Sequence, residues 1–453
     1  MTKQDPRRWA LAALNDLEKG RFTLDRIIEE IHETGMEISR RDRNLFNALT
    51  YGVVRWKKRL DWVIGQYSKT PLRKIDPAVC NILRLALFQV LFLDRVPDSA
   101  AINTAVDLAK TVSPPWVVRF VNGVLRNAAR SVQDLKYPLA EEDPVQSLAI
   151  RHSYPEWLVK RWIHRFGAST ADAICCSGNR IAPLTVRVNR LLTTRDALVR
   201  SVSGQANRVE STPISPDGVS LWGLETAVSE MEAFKNGCFQ VQDEAAQLVT
   251  RFLDPKPDET VLDACAGFGG KTGHISQMMD NRGCVVALDY RQVKLDRLER
   301  EMQRIGATIV TTCRSDLSRA DVKIPHREYD RVLLDAPCSG AGVIRRNPDN
   351  KWRLKEDTFA ACATRQKRFL SQLADRVKPS GILVYAVCST EPEENEGVVK
   401  EFLNNHPEFV MENPGAGFPV EAGTLLNENG ILKTATHEHG MDGFFAARLR
   451  RSA

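Results

Sequence analysis

The sequence predicts a multidomain protein of mixed α and α/β class. An all-helical domain is expected over residues 1–140, a small α+β module over 145–235, and an α/β domain built on a parallel sheet over 236–453. Three observations carry this reading. Apolar residues recur at helical spacing through 7–130. After Ile181 the texture changes to short β-like runs broken by Pro213, Pro216 and Gly218. From Cys238 onward strand, loop and helix alternate. The length, 453 residues with 43% apolar and 26% charged, suits two or three globular domains and excludes a disordered or collagen-like chain.

In the first domain Trp9, Ala12, Ala13 and Leu17 mark one helix, and Val53, Leu60, Val63, Ile64 and Tyr67 mark another. Val79–Leu93 is apolar on nearly every face, the pattern of a central helix, and is too short and too polar to span a bilayer. The N-terminus lacks the pattern of a secretory signal, and ten cysteines in so long a chain do not make a disulfide scaffold, so a cytoplasmic location with reduced thiols and no membrane partner is expected. Charge is uneven. Residues 1–140 hold 23 Lys and Arg against 15 Asp and Glu, a net +8, whereas the whole chain carries +6. Such a basic module suits a phosphate backbone. The run Arg55-Trp56-Lys57-Lys58-Arg59, with Trp62 and Tyr67 beyond it, mixes cations and aromatic rings that could hold RNA phosphates and bases, although aromatics at that spacing are more often core.

The polar stretch Asp134–Pro144 reads as a linker, and residues 154–178 return to helix. In the C-terminal domain the expected strands are Thr260–Asp263, Cys284–Asp289, Thr308–Thr312, Arg331–Asp335 and Ile382–Cys388. A helix over Gln292–Ile305 presents Leu295, Leu298, Met302 and Ile305 on one face. Ligands in such sheets bind at the carboxyl ends of the strands. There Val261–Thr272 runs from a strand through Cys265-Ala266-Gly267-Phe268-Gly269-Gly270-Lys271 into a helix. A Walker A loop would need glycine where Cys265 stands, and a dinucleotide fingerprint would need glycine at Thr272. A nucleoside ligand remains. Asp289, closing the second strand, suits the ribose hydroxyls, and Asp316, after the third, suits the adenine. This arrangement fits S-adenosylmethionine. No pattern of metal ligands is present.

Two cysteines, Cys338 and Cys388, stand where the fourth and fifth strands end, and Asp335 precedes the first of them. One buried cysteine is ordinary; two at adjacent strand ends suit methylation at carbon 5 of cytosine. That carbon is a poor nucleophile until a thiolate adds at carbon 6. A carboxyl group at the base's N3 favours the adduct, and a second acid or base is needed to complete turnover.

Asp335-Ala-Pro-Cys338-Ser-Gly340, its continuation Gly342–Trp352, Tyr385-Ala-Val-Cys388-Ser-Thr390 with Glu393-Glu-Asn395, and Gly237 with Gln242-Asp243-Glu-Ala-Ala-Gln247 resemble RNA cytosine-C5 methyltransferases of the NOL1/NOP2/Sun type. The resemblance covers essentially the whole chain. It implies a NusB-like RNA-binding N-terminal domain, an RRM-like middle module and a Rossmann-like S-adenosylmethionine-dependent domain. It implies 16S rRNA as the partner, with cytosine 967 the family expectation, and no obligate protein partner. It makes Cys388 the attacking nucleophile and Cys338 the residue assisting product release. It places the cofactor at Cys265–Lys271, Asp289, Asp316 and Asp335. Where the family usually has Ala-Pro, this chain has Gly267-Phe268, which adds bulk beside the methionine end of the cofactor. The rival expectations are the same chemistry on tRNA or another rRNA site, and a non-catalytic RNA-binding or antitermination factor.

Overall fold

The computed structural model describes residues 5–33, 39–319 and 322–453. The chain divides into two compact units, the first running to Arg180 and including Ile344–Leu354, the second formed by Ile181–Val343 and Lys355–Ala453.

The first unit is helical. Pro6–Glu18, Leu24–Glu33, Arg40–Tyr67, Pro77–Phe92, Asp98–Val112 and Pro115–Ser131 come first, followed by Pro144–Arg151, Glu156–Phe166 and Ala168–Ser177. Proline after an N-cap aspartate starts three of them, Asp5-Pro6, Asp76-Pro77 and Asp143-Pro144, where the missing N–H costs nothing. Val79 to Gln89 is buried without interruption, as its apolar pattern predicts for a central helix. The one cation within that run, Arg84, pairs through two nitrogens with Asp61 at 2.6 and 2.9 Å and with Glu18 at 3.0 Å. Trp9 and Ala13 face the core, but Ala12 lies on the solvent side. The segment Ile344–Leu354 is threaded into this unit. The Trp352 indole donates to the Val54 carbonyl at 2.7 Å, and the Lys351 ammonium to the Arg55 carbonyl at 2.7 Å.

The second unit holds two sheets. The smaller is antiparallel, in the order β2-β3-β1-β4, from β1 (Leu184–Val188), β2 (Ala206–Ser211), β3 (Gly218–Leu224) and β4 (Phe239–Val241). The helices over 156–177 group with the first unit, and β4 lies beyond residue 235.

The larger sheet contains β5 (Thr260–Asp263), β6 (Cys284–Asp289), β7 (Val310–Arg314), β8 (Tyr329–Asp335), β9 (Val377–Val387), β10 (Phe409–Met411), β11 (Leu432–Lys433) and β12 (Phe445–Arg451). Its order is β10-β12-β9-β8-β5-β6-β7, with β11 on β12. The five expected strands are parallel to one another, but the sheet as a whole is mixed, because β12 pairs antiparallel with β9 and β10 antiparallel with β12. A C-terminal strand that returns through a loop needs no helical crossover, so strand–helix alternation does not reveal it. β7 starts two residues later than expected, since Gly306 ends the preceding helix in a left-handed turn and the Thr308 amide is held by Asn281. Helix Gln292–Ile305 buries Leu295, Leu298, Met302 and Ile305, the face its periodicity marks. Among the described residues no helix is long and apolar enough to cross a membrane.

Candidate functional site

Chain order reverses between β5 and β8, and in open sheets of this kind ligands bind in a crevice at the carboxyl ends of the strands at such a point. The glycine loop leaves β5 tied on both sides. Ala264 N–H donates to the Leu333 carbonyl at 2.8 Å and Ala266 N–H to the Leu288 carbonyl at 2.9 Å. Gly269 takes φ +87°, and a Cβ there would stand 2.8 Å from Leu298 and 2.9 Å from Met302, so the loop closes on the helix only with glycine. Gly267, at φ +58°, would meet nothing within 4 Å and leaves its face open for a ligand. The Gly270 carbonyl accepts a 2.7 Å bond from buried Arg187, which also reaches Gln240 and Gln242; burial pushes this guanidinium down to about 9. Phe268 is 55% exposed, with Lys294 and Arg297 at 5.8 and 5.7 Å from its ring centre. Burial pushes the Cys265 thiol well up, so it lines the loop as a neutral group.

Asp335 ends β8 opposite Ala386 of β9 and accepts a 2.5 Å bond from Lys271. Burial works against the Lys271 ammonium, but Asp335 and then Asp263 more than offset it and hold its pKa above the ordinary value. Asp263, at the end of β5, is raised to about 6 by burial, against a 2.7 Å bond from the Thr272 hydroxyl.

Three residues beyond Asp335, the Cys338 sulfur lies 3.0 Å from that of Cys388, just past β9; both are free thiols. The hydrogen bond with Cys388, and then burial, push Cys338 well above the ordinary thiol range, so it keeps its proton. One buried carboxylate braces both loops. Glu394 accepts from Ser339 N–H at 2.9 Å and Gln366 at 3.0 Å through Oε1, and from the Ser339 and Ser389 hydroxyls at 2.5 and 2.6 Å through Oε2. Its own carbonyl accepts from the Tyr385 hydroxyl at 2.6 Å. Behind Cys388, Gly342 N–H donates to its carbonyl at 3.0 Å, and a Cβ on Gly342 would fall 1.9 Å from the Gly443 carbonyl.

The Asp289 carboxylate is buried at the end of β6, with the Arg291 amide at 2.9 Å and Lys294 at 3.4 Å. Asp316 follows β7 and lines a cavity with Tyr290, Arg314, Ser315, Arg319 and Lys323. Its carboxylate accepts from Ser318 N–H at 2.8 Å and from the Ser318 hydroxyl, which hold its pKa below the usual range. The Ser315 amide links the two, donating to the Asp289 carbonyl at 3.2 Å. The structure thus joins Cys338 to Cys388 and Lys271 to Asp335, and keeps Asp289 and Asp316 on the β6–β7 side. Sequence reasoning missed Glu394, Asp263 and Arg187. The run Glu393-Glu-Asn395 marked a motif but not which carboxylate turns inward.

The strand order, the glycine loop after the first parallel strand and the acidic end of the second define a Rossmann-like methyltransferase domain that uses S-adenosylmethionine. Residues 250–450 match the family model for the 16S rRNA methyltransferase RsmB/F, residues 4–130 that of the NusB family, and 154–225 the ferredoxin-like domain of Methyltr_RsmF/B-like proteins. The chain is 37% identical to a Bacillus subtilis protein named probable ribosomal RNA small subunit methyltransferase B, with 100% of both chains covered. It is 34% identical to ribosomal RNA small subunit methyltransferase B of Pseudomonas putida, with 99% of both covered. Among solved structures, that of PH0851 matches with TM-score 0.81 at 28% identity, covering 100% of this chain and 99% of the other. A methyltransferase homolog from Pyrococcus horikoshii matches at 0.58 and 28% identity, covering 68% and 99%. The chain belongs to the RsmB/F family of methyltransferases.

Proposed function

We propose that this protein methylates carbon 5 of one cytosine in 16S rRNA, cytosine 967 by the family expectation, through a covalent bond between Cys388 and carbon 6. The observation that carries the reading is the pair of free thiols 3.0 Å apart at two adjacent strand ends, braced by one carboxylate. A methyltransferase acting on an exocyclic nitrogen has no use for such a pair.

The crevice fits the methyl donor: an open face at Gly267, a carboxylate at Asp289 and a second at Asp316. When bound, S-adenosylmethionine supplies a methyl group on a sulfonium. Asp289 would hold the ribose hydroxyls, Asp316 would serve the adenine, and Cys265–Lys271 would hold the rest. Asp335 faces the edge of the base at N3, and the Lys271 ammonium paired with it lends the proton that N3 takes up as the sulfur adds and gives back as the sulfur leaves. The Cys388 thiolate adds to carbon 6, and the C5=C6 electron pair becomes available at carbon 5 for the methyl group. Cys338 keeps its proton while Cys388 attacks. After methyl transfer it gives that proton to water and, as the thiolate, takes the proton from carbon 5, whose C–H electron pair re-forms the C5=C6 bond as the Cys388 sulfur leaves as a thiolate. The basic helical domain over 1–140 supplies RNA affinity.

The test is transfer of labelled methyl from S-adenosylmethionine to purified 16S rRNA, with the modified nucleotide mapped. Label at carbon 5 of a single cytosine is expected. Label on tRNA or at another rRNA site redirects the substrate, and no transfer to any RNA makes the chain a binding factor.

A further inference from the structure

The long helix Arg40–Tyr67 breaks at Trp56, whose φ of −107° and ψ of 15° are not helical. The break is built, not frayed. The buried Ser153 hydroxyl accepts the Lys58 amide at 2.8 Å and the Arg59 amide at 3.3 Å, capping the helix where it resumes. Ser153 reaches this position with φ +58°, a conformation a non-glycine residue adopts rarely.

The break turns planar groups toward a cavity of about 880 Å³, a size that suits a nucleotide. Trp56 stacks on Phe92 at 4.8 Å and Trp62 on Tyr137 at 4.8 Å. The Arg59 guanidinium lies between these stacks, 5.6 Å from the Trp56 ring and 4.8 Å from that of Tyr137, and donates to the Tyr137 hydroxyl at 2.9 Å. All three aromatics, Trp56, Trp62 and Tyr67, pack against the helical core, and of them Trp56 also lines the cavity.

The cavity wall also carries Lys136, Arg151 and Arg180. Among the described residues none of these three, nor Arg59, pairs with a carboxylate. The acids nearby are already engaged: Asp172 with His152 at 2.7 Å and Glu156 with Lys58 at 2.8 Å. Four cations left without anions around stacked rings is the composition of a site for a base and its flanking phosphates. A duplex cannot offer that base, because its faces are covered by neighbours in the stack.

We propose that this cavity is a subsite for one unstacked nucleotide of single-stranded RNA, with the base against Trp56 and Tyr137 and phosphates on Lys136, Arg151 and Arg180. The inference rests on the RNA methyltransferase reading and adds where the RNA is gripped away from the thiols. Its test uses the full chain, a labelled single-stranded oligoribonucleotide from the methylated region and the same strand annealed to its complement. Arg151 and Arg180 are exposed, so Arg151→Gln/Arg180→Gln should leave the fold intact, as circular dichroism checks. The double variant should bind the single strand about tenfold more weakly at 0.1 M salt, with the slope of log affinity against log salt flatter by about 1.4. Lys110→Gln, which removes a cation already paired with Asp107, should change neither. A 4-thiouridine in the strand should crosslink to the peptides holding Trp56 or Tyr137. Unchanged affinity, crosslinks confined to other elements, or equal binding of the duplex overturns the subsite. Methyl transfer by the parent, measured alongside, separates that failure from failure of the RNA reading itself.

Discussion

The two sides of the crevice are built by different means. On the glycine side the backbone does the positioning: amides of Ala264 and Ala266 tie the loop to neighbouring strands, two glycines take left-handed φ, and one face stays open. On the thiol side the positioning comes from side chains. Glu394 accepts four hydrogen bonds from three residues, and two of those residues follow the cysteines directly. An open backbone cradle admits and releases a small ligand. A closed side-chain network fixes reacting atoms at one distance. Damage on the first side should therefore appear as lost affinity, and damage on the second as lost chemistry.

The thiols test this contrast most severely. Cys388→Ala should abolish methylation and form no covalent complex with RNA, while binding S-adenosylmethionine as the parent does. Cys338→Ala should still attack and transfer the methyl group but release product poorly, so that a protein–RNA adduct accumulates on denaturing electrophoresis. The double variant should resemble Cys388→Ala, because residues acting in one mechanism are non-additive. An adduct from Cys388→Ala alone would exchange the two roles.

Next is the brace. Glu394→Ala removes the acceptor of the Ser339 amide, the Gln366 side-chain amide and two hydroxyls, and should destabilise the second unit by about 3 kcal/mol or more in denaturant titration. Glu394→Gln keeps the shape and most of the bonds. It should fold but lose kcat with little change in KM for S-adenosylmethionine. A parallel loss of cofactor affinity would erase the distinction between the two sides.

Asp289→Ala should do the reverse. Loss of a charge-assisted acceptor costs about 1.5–3 kcal/mol, and calorimetry should register it as weaker S-adenosylmethionine binding by a folded protein. Unchanged affinity would remove Asp289 from the cofactor site.

The smallest functional effect is expected at Asp263, which lies behind the crevice rather than in it. Its native pKa of about 6 stands above the ordinary aspartate value of about 3.9, so folding takes up a proton between these values. The stability this group contributes is present below about pH 4 and is lost as pH rises through about 6. Asp263→Asn should therefore gain stability relative to the parent between pH 4 and 7, by no more than about 2.7 kcal/mol for a shift of roughly two units. A difference between variant and parent that does not change with pH would show that Asp263 stays ionised.

The sequence by itself determined the parallel core, the glycine loop, the buried face of Gln292–Ile305, and the placement of Asp335, Cys338 and Cys388 where strands stop. Each of these is carried by neighbours in the chain: a period, a glycine cluster, a polar residue just after an apolar run. What the tertiary structure decided joins residues far apart. Lys271 meets Asp335 across 64 positions, Ser339 meets Glu394 across 55, and the Ser153 hydroxyl caps a helix 95 positions upstream. The antiparallel β12, which turns the parallel core into a mixed sheet, belongs with them. Local periodicity tells which face of an element is buried but not which partner it meets, because the partner is chosen by the packing of whole elements. The carboxylate that braces the two cysteines became visible only once β8 and β9 lay side by side.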